Sequence, residues 1–452
     1  MPKPTSQAQK PDGDIHPLMQ LVFIDAPHPP QRFEVEVRLK AAGLEPAPAD
    51  ALEAKGLIWS AAWKLGRREV PVRVFVADRD RQFAPWRTTE VLWGSREELE
   101  RAQKSRWIIG VESIQAEAAC DFLHLLLRVA DAAGGDEACA VADDLSTRVR
   151  SATVLRELAR CPVAPGPNDL YTIHFIANDD GTCWAHTHGL RAYNAPDLEM
   201  FGLKDDHAGP GHGIISAVAA RLVEEEIPVE GAEMAFGDEL VAQLRPVMET
   251  LRPFPASLGG GAGDHDESHS GWRLAILDAD APWPPKKAAN LNSLAPAGLL
   301  HKMQDHAIVW FSNRESNRQA ALARLRFPEA ALAHASANPQ RRKLLVKLAI
   351  PADEARSDYS SSLQSGQTPP KANNEHMWFE VKGFSQGLIE GQLLNRPNYA
   401  TYLKEGQRCK VSAERVSGFD LWIESGRFGP ETVMGAGQPR LRTDWTDFDK
   451  RS

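Results

Sequence analysis

The sequence predicts an α+β, multidomain protein: mixed or antiparallel sheets flanked by helices, ending in a small, mostly β, barrel-like domain. Three observations predict it. At 452 residues the chain exceeds one ordinary core, so roughly two to four domains are expected. Short apolar runs bounded by Pro, Gly or turn dipeptides alternate with stretches whose apolar residues recur at helical spacing. Beyond residue 342, strand-like runs follow one another almost without a helix.

The elements follow in order. MPKPTSQAQKPDGD lacks an apolar core, so residues 1–16 read as a polar tail and not as a signal peptide. PLMQLVFIDAP (17–27) is a strand closed by proline, and RFEVEVRLKAAGL (32–44) a helix ended by Gly43. LIWSAAWKL (57–65) and EVPVRVFVAD (69–78) have strand composition, and WIIGVESI (107–114) adds another. AEAACDFLHLLLRVADAAGG is a helix stopped by Gly-Gly, and Ser151 caps a shorter one. Residues 17–160 thus form one α+β domain.

CPVAPGPND (161–169) is a Pro- and Gly-rich connection to a second α+β domain, 161–340. LYTIHFIA, NDDG and TCWAHTHGL make a hairpin signal, because Asp-Gly takes the positive φ of tight turns. Helices are expected at about 213–226, 236–251 and 314–326, and strands at 272–277 and 306–312. A mostly β domain spans 341–434, interrupted by a polar Ser-, Gln- and Pro-rich segment at 357–374. Residues 435–452 read as a flexible tail.

Composition narrows function. Hydrophobic residues make up 42% and charged residues 25%, as in globular proteins. Lys and Arg number 52 against 61 Asp and Glu, a formal charge of -9, which disfavours charge-driven binding to nucleic acid or a membrane surface. No run reaches the roughly 18 apolar residues of a membrane span. The five cysteines are odd in number and scattered, with no Cys-x-x-Cys pair, so a reduced, cytoplasmic protein is expected.

DGTCWAHTHGL (180–190) is the richest candidate for chemistry. A His-x-His pair on a strand supplies two metal ligands, and zinc needs a third with an open position or a fourth if structural. His186 and His188 are therefore candidate ligands, with His207 and His212 of DDHAGPGHG, or His265 and His269 of DHDESH, as partners. A two-residue turn opposes this. Cross-strand pairs would then sum to odd numbers, placing His186 and His188 with Trp184, Ile173 and Phe175, and His174 on the other face beside Cys183 and Ala185. An extra turn residue would invert that parity. On the two-residue reading the histidines simply hydrogen-bond within the sheet, and no cofactor is expected; zinc or another divalent metal is the alternative.

The other features favour plain structural roles. DHDESH follows a Gly-rich run and reads as a solvated loop. AGPGHG (208–213) lacks both the P-loop ending and dinucleotide-fold glycine spacing. Cys183 reads as strand packing, not a nucleophile. Arg314, Arg318, Arg324 and Arg326, interspersed with Glu315, read as a solvated helix face. No G-x-S-x-G elbow occurs.

KLLVKLAIP, EHMWFEVKGF (375–384), IEGQLLNRP (389–397) and YLKEGQRCKVSAERVSGFDLW (402–422) resemble the YegJ-like bacterial family, a domain of unknown function (number 2314). The resemblance covers about a fifth of the chain and implies no catalytic residue; the 357–374 segment lengthens its start. WAHTHGLRAYNAPDLEMFGL is similar to a segment found upstream of that domain in other uncharacterised bacterial proteins. From the residues themselves, GQRCKV reads as the strand entry of a small barrel. Trp378, Tyr399, Tyr402 and Trp422 are either its binding surface or its core.

The sequence therefore favours a non-catalytic protein-interaction or regulatory role, of which an immunity-type partner is one form. A metal-dependent hydrolase centred on His186 and His188 is the alternative, and nucleic-acid binding through the C-terminal barrel ranks third.

Overall fold

In the computed structural model, the described residues are 18–44, 57–65, 68–80, 84–85, 90–93, 96–113, 118–224, 233–237, 239–265, 271–287, 290–305, 309–310, 312–352, 374–385, 387–434, 438–439 and 441–442. The expected N-terminal tail, the polar insert at 357–373 and nearly all of the C-terminal tail lie outside them. The chain divides into two compact units, 1–312 with 442–452, and 313–441.

The first unit begins with β1 (Leu18–Ile24), α1 (Arg32–Ala41), β2 (Leu57–Leu65), β3 (Arg68–Asp78), β4 (Glu90–Trp93), α2 (Arg96–Lys104), β5 (Trp107–Ser113), α3 (Ala119–Gly134), β6 (Ala138–Asp143), β7 (Arg148–Ser151) and α4 (Ala152–Arg160). The strands line up as β2-β3-β5-β1-β6-β7-β4, antiparallel except for the β4–β7 pair. α3 is buried almost all round, as its unbroken Leu-Leu-Leu-Arg-Val-Ala run requires. Ser151 caps α4 by accepting a hydrogen bond from the Val154 amide.

A second sheet follows, from β8 (Thr172–Ala177), β9 (Cys183–His188), β10 (Asp197–Leu203), α5 (Ala208–Glu224), β11 (Glu233–Gly237), β12 (Leu240–Pro246), α6 (Val247–Leu251), β13 (Arg273–Asp278) and α7 (Ala297–Gln304). Its order is β11-β12-β13-β10-β9-β8, so β8 is an edge strand and β10–β13 the parallel pair. The helix expected at 236–251 is instead a hairpin followed by one helical turn. Leu240, Ala242 and Leu244 are buried at every second position, and Glu239 turns the chain at φ +59°. Period two, not 3.6, governs that stretch. AGPGHG forms the first turns of α5. Of the strand expected at 306–312, Val309 makes a single bridge to Gly237, and 306–308 and 311 lie outside the described residues.

The second unit comprises α8 (Asn313–Ser336), β14 (Lys343–Pro351), β15 (Asn374–Ser385), β16 (Leu388–Leu393), β17 (Arg408–Ser412), β18 (Val416–Ile423) and β19 (Gly426–Phe428). These strands form an antiparallel sheet ordered β17-β16-β15-β14-β18-β19. The sheet is open, which corrects the barrel expectation, and the reason is α8. Its Ala323, Phe327 and Ala330 cover Leu344, Val346, Met377, Phe379, Phe419 and Leu421, so the apolar face is buried without strand closure. α8 thereby belongs with this sheet and not with the preceding segment. Its arginines are not all solvated: Arg318 donates to Glu315 and Glu431, and Arg326, 6% exposed, donates to the Pro430 carbonyl. Among the described residues, no helix is long and apolar enough to cross a membrane.

Phe327→Ala is expected to lower the stability of the second unit by about 3–5 kcal/mol, because it empties the centre of the helix–sheet contact. The checking measurement is chemical denaturation followed by tryptophan fluorescence.

Candidate metal centre

The site is built by the hairpin β8–β9, and the turn decides it. Gly181 donates to the Asn178 carbonyl at 3.1 Å, closing a turn over Asp179 and Asp180, and Asn178 donates to the Thr182 carbonyl at 2.8 Å. Gly181 sits at φ +78°, where a side chain would be strained. The loop therefore has three residues, a turn plus a left-handed glycine, and not the two of an Asp-Gly reverse turn. Asp180 fixes it by accepting from the Thr182 amide and hydroxyl.

One extra residue inverts the parity. Thr172 faces His188, His174 faces His186, Ile176 faces Trp184 and Ala177 faces Cys183. Directly opposed residues share a face. His174 therefore lies with His186 and His188, while Ile173, Phe175, Cys183 and Ala185 occupy the other side, the reverse of the two-residue expectation.

The three imidazoles converge. Each offers one ligand nitrogen, and these nitrogens all lie within 4.8 Å of one another. Nε2 of His186 and Nε2 of His188 are 3.0 Å apart. Nitrogens bound at about 2.05 Å in a tetrahedral zinc sphere are about 3.3 Å apart, so that pair already stands near ligand spacing. His174 closes the triangle, with ring centroids 5.4 Å from His186 and 5.0 Å from His188. His186 is fully buried; His174 and His188 are half-buried and leave one side of the cluster open.

A buried network behind the triad holds its innermost ring. Trp184 packs on His186 with ring centroids 4.2 Å apart. Its Nε1 donates to Oε2 of Glu199 at 2.8 Å, and Glu199 faces His186 across the β9–β10 ladder. Glu199 also takes a 2.8 Å ion pair from Arg273 and a 3.0 Å contact from His265 Nε2. Burial opposes ionisation of Glu199, but the His265 hydrogen bond and the Arg273 charge outweigh it and hold the carboxyl below its usual range. Burial likewise opposes a charge on His265, and Glu199 overcomes it, raising the imidazole. With three donors on its two oxygens, Glu199 acts as a structural anchor.

The Gly-rich run before His265 serves this network. A Cβ on Gly260, at φ +75°, would lie 2.8 Å from the Trp184 ring. Only glycine lets the chain cross the indole there. Asp264 accepts from the Gly260 amide, and the His265 side chain is 3% exposed. The expectation of a solvated loop is thus corrected for the His265 side chain, while Asp264 is exposed; residues 266–270, with His269, lie outside the described residues. Sequence reasoning missed Glu199, Arg273 and the inward turn of His265, because carboxylate and arginine stand 74 residues apart and nothing local pairs them.

The remaining candidates do not join the triad. His207 accepts from the Lys204 amide and lies 3.7 Å from Asp206. His212, on α5, sits 3.4 Å from Ser216 Oγ. Burial, then the Asp205 charge, raises the Cys183 thiol, which suits packing and not attack. In the second unit, Trp378 and Trp422 face Lys347 and Lys343 on the outer side of the sheet. Tyr399 is 70% exposed, and Tyr402 packs against the core and donates to the Pro351 carbonyl.

Two family models match the chain. Residues 173–277 match the C-terminal model of a protein of unknown function, DUF4026, and residues 339–436 match DUF2314, described as an uncharacterised protein conserved in bacteria. The resemblance noted from residue 342 onward is thus shown, and the chain is a multidomain protein carrying that segment. No curated protein and no solved structure matches it.

Stability of the first unit should depend on pH through this network. The raised His265 contributes fully below its ordinary value of 6.5, and that contribution is lost as pH rises through its folded value. The lowered Glu199 contributes above 4.5, and that contribution is lost as pH falls through its folded value. Thermal melts should therefore show a mildly acidic optimum, and His265→Gln should flatten the alkaline side. Glu199→Gln should cost about 3–5 kcal/mol at neutral pH, because it leaves the Arg273 charge buried without its partner.

Proposed function

We propose that this protein binds a divalent transition metal, zinc being the best match, through His174, His186 and His188, and uses the centre to activate water for hydrolysis. One observation carries the reading: three imidazole nitrogens from two adjacent strands fall within 4.8 Å. Three neutral nitrogen ligands with one side open are the donor set of a catalytic zinc site, whereas structural sites close the sphere with a fourth protein ligand. The open side coincides with the half-buried rings of His174 and His188. A metal there would bring bound water to a pKa of about 7, supplying hydroxide at neutral pH. The His186–His188 contact fits the same role: at 3.0 Å one Nε2 must carry the hydrogen that joins the pair, and a cation bridging both would take its place.

Metal analysis of untagged protein should find about one equivalent of zinc or another divalent metal, as one three-ligand site requires. His186→Ala and His188→Ala should lose it while keeping their circular dichroism. Protein that neither contains such a metal nor takes up zinc or cobalt(II) on titration would sink the reading, as would full retention in both variants.

A protein-interaction or regulatory role, immunity-type among its forms, is the second reading. The exposed Tyr399 (70%) and Trp422 (44%) of the second unit favour it. Large exposed aromatics are enriched at interface hot spots. Affinity capture from the native host should return a reproducible partner that a Tyr399→Ala/Trp422→Ala variant loses; capture that is unaffected by the double change would reject this surface.

A further inference from the structure

We propose that Arg150 anchors a buried binding site for a small inorganic oxyanion, of the phosphate or sulfate type, in the first unit. Its anchor lies outside the histidine triad, although Thr172 faces His188 across β8–β9, and the inference does not rest on the metal reading.

Arg150 is the largest fully buried side chain of the described residues, at 0% exposure. It lies on β7, where Arg150 faces Val141 and Arg148 faces Asp143, which in turn faces Gln20. Its Nη2 donates to the Asp169 carbonyl at 2.8 Å. Nε and Nη1 have no hydrogen-bond partner, and the Asp169 and Asp143 charges act on the guanidinium without a side-chain hydrogen bond to it. Arginine does not shed its proton in proteins, so the charge persists. A buried charge without a close counter-charge is strongly disfavoured. Burial first, and Arg148 second, press against it.

The nearest acids do not answer this need. Asp143 already accepts from Gln20 Nε2 and from the Leu145 and Ser146 amides. Asp169 accepts from the Gly166 amide. The segments next to Arg150 and its partner Asp169 carry further buried donors. Ser146 Oγ, Thr147 Oγ1, Thr172 Oγ1 and Tyr193 Oη are all buried atoms without a hydrogen-bond partner. Several links join these segments to one another. Tyr193 lies in the electrostatic reach of Arg150, Asp143 and Arg148. Arg148 donates to the carbonyl of Tyr171, the residue before Thr172. A Cβ on Gly189 would meet both the Leu170 carbonyl and Ser146 at 2.8 Å.

The chain is also strained at this spot. Thr147 sits at φ +50°. That region is unusual for a β-branched residue, and such strain concentrates where a ligand is held. Burial, ahead of Asp143, keeps the Tyr193 phenol protonated far above neutral pH, so it remains a donor. Unpartnered guanidinium N–H groups, with buried hydroxyls on the adjoining segments, match an oxyanion, which only accepts hydrogen bonds and brings a negative charge. Enclosure limits the ligand to a small ion.

The test uses the full chain in EDTA, so that no metal effect enters. Inorganic phosphate or sulfate in the millimolar range should raise the melting temperature by about 3–5 °C over chloride at equal ionic strength. Arg150→Met should abolish the shift. Should that variant not fold, Tyr193→Phe, which removes only the hydroxyl, should reduce it. Crystals grown with selenate should show an anomalous peak within hydrogen-bond distance of Arg150 Nε. The proposal is overturned if phosphate and sulfate act no differently from chloride, if Tyr193→Phe shifts as the native chain does, or if well-ordered crystals show only water against Arg150.

Discussion

The register of one hairpin is the constraint on which the candidate site depends. Side chains on a strand alternate with period two, so a single residue in the Asn178–Thr182 connection decides which face every side chain of β8 takes relative to β9. With three turn residues, His174 lands opposite His186. With two, it would land on the far face and leave His186 and His188 as an isolated pair. The residues enforcing the longer loop are local: Gly181 in the left-handed region, and Asp180 bonded to both ends of Thr182.

A converged triad on an edge strand still needs rigidity, and the second layer supplies it. Glu199 is the hub, because one carboxylate satisfies the Trp184 indole, the Arg273 guanidinium and His265 at once. None of the four could be buried alone; together they neutralise and hydrogen-bond each other. Trp184 transmits that order to His186 by direct ring contact. The most deeply buried ligand is thereby held from behind, while the other two face outward.

Much of this architecture was legible in the sequence, and the failures share a cause. Strands and helices with strong local periodicity, such as β1, α3, β15 and β16, stand where their residues place them. The Ser151 cap was readable because capping is a contact over three residues. The barrel was misread because a strand's pattern shows which face is apolar, not whether a helix or another strand will cover it. The stretch 236–251 mixes apolar spacings compatible with both periods, and the turn at Glu239 settles it only in three dimensions. His186 and His188 were visible as a pair. His174 is not legible as their partner, because Asp-Gly serves either a two- or a three-residue loop and only the longer one brings it to their face. Glu199, His265 and Arg273 could not be joined from sequence, since their pairing depends on the parallel contact of β10 with β13.

The placement of the family matches bears on how these features divide. His174, His186, His188, Glu199, His265 and Arg273 all lie within residues 173–277, one matched segment. β8, β9, β10 and β13, which position them, lie in it almost entirely. The histidine centre and its supports thus fall within one matched segment, while the exposed Tyr399 and Trp422 fall within the other, 339–436. Arg150 precedes both segments and sits on the first sheet. Arg150 and the triad nonetheless adjoin through one strand: Arg150 donates to the Asp169 carbonyl just before β8, and Thr172 of β8 faces His188. Substitutions at Arg150 and at His188 are therefore expected to couple through β8, whereas Arg150→Met and His186→Ala report on different anchors.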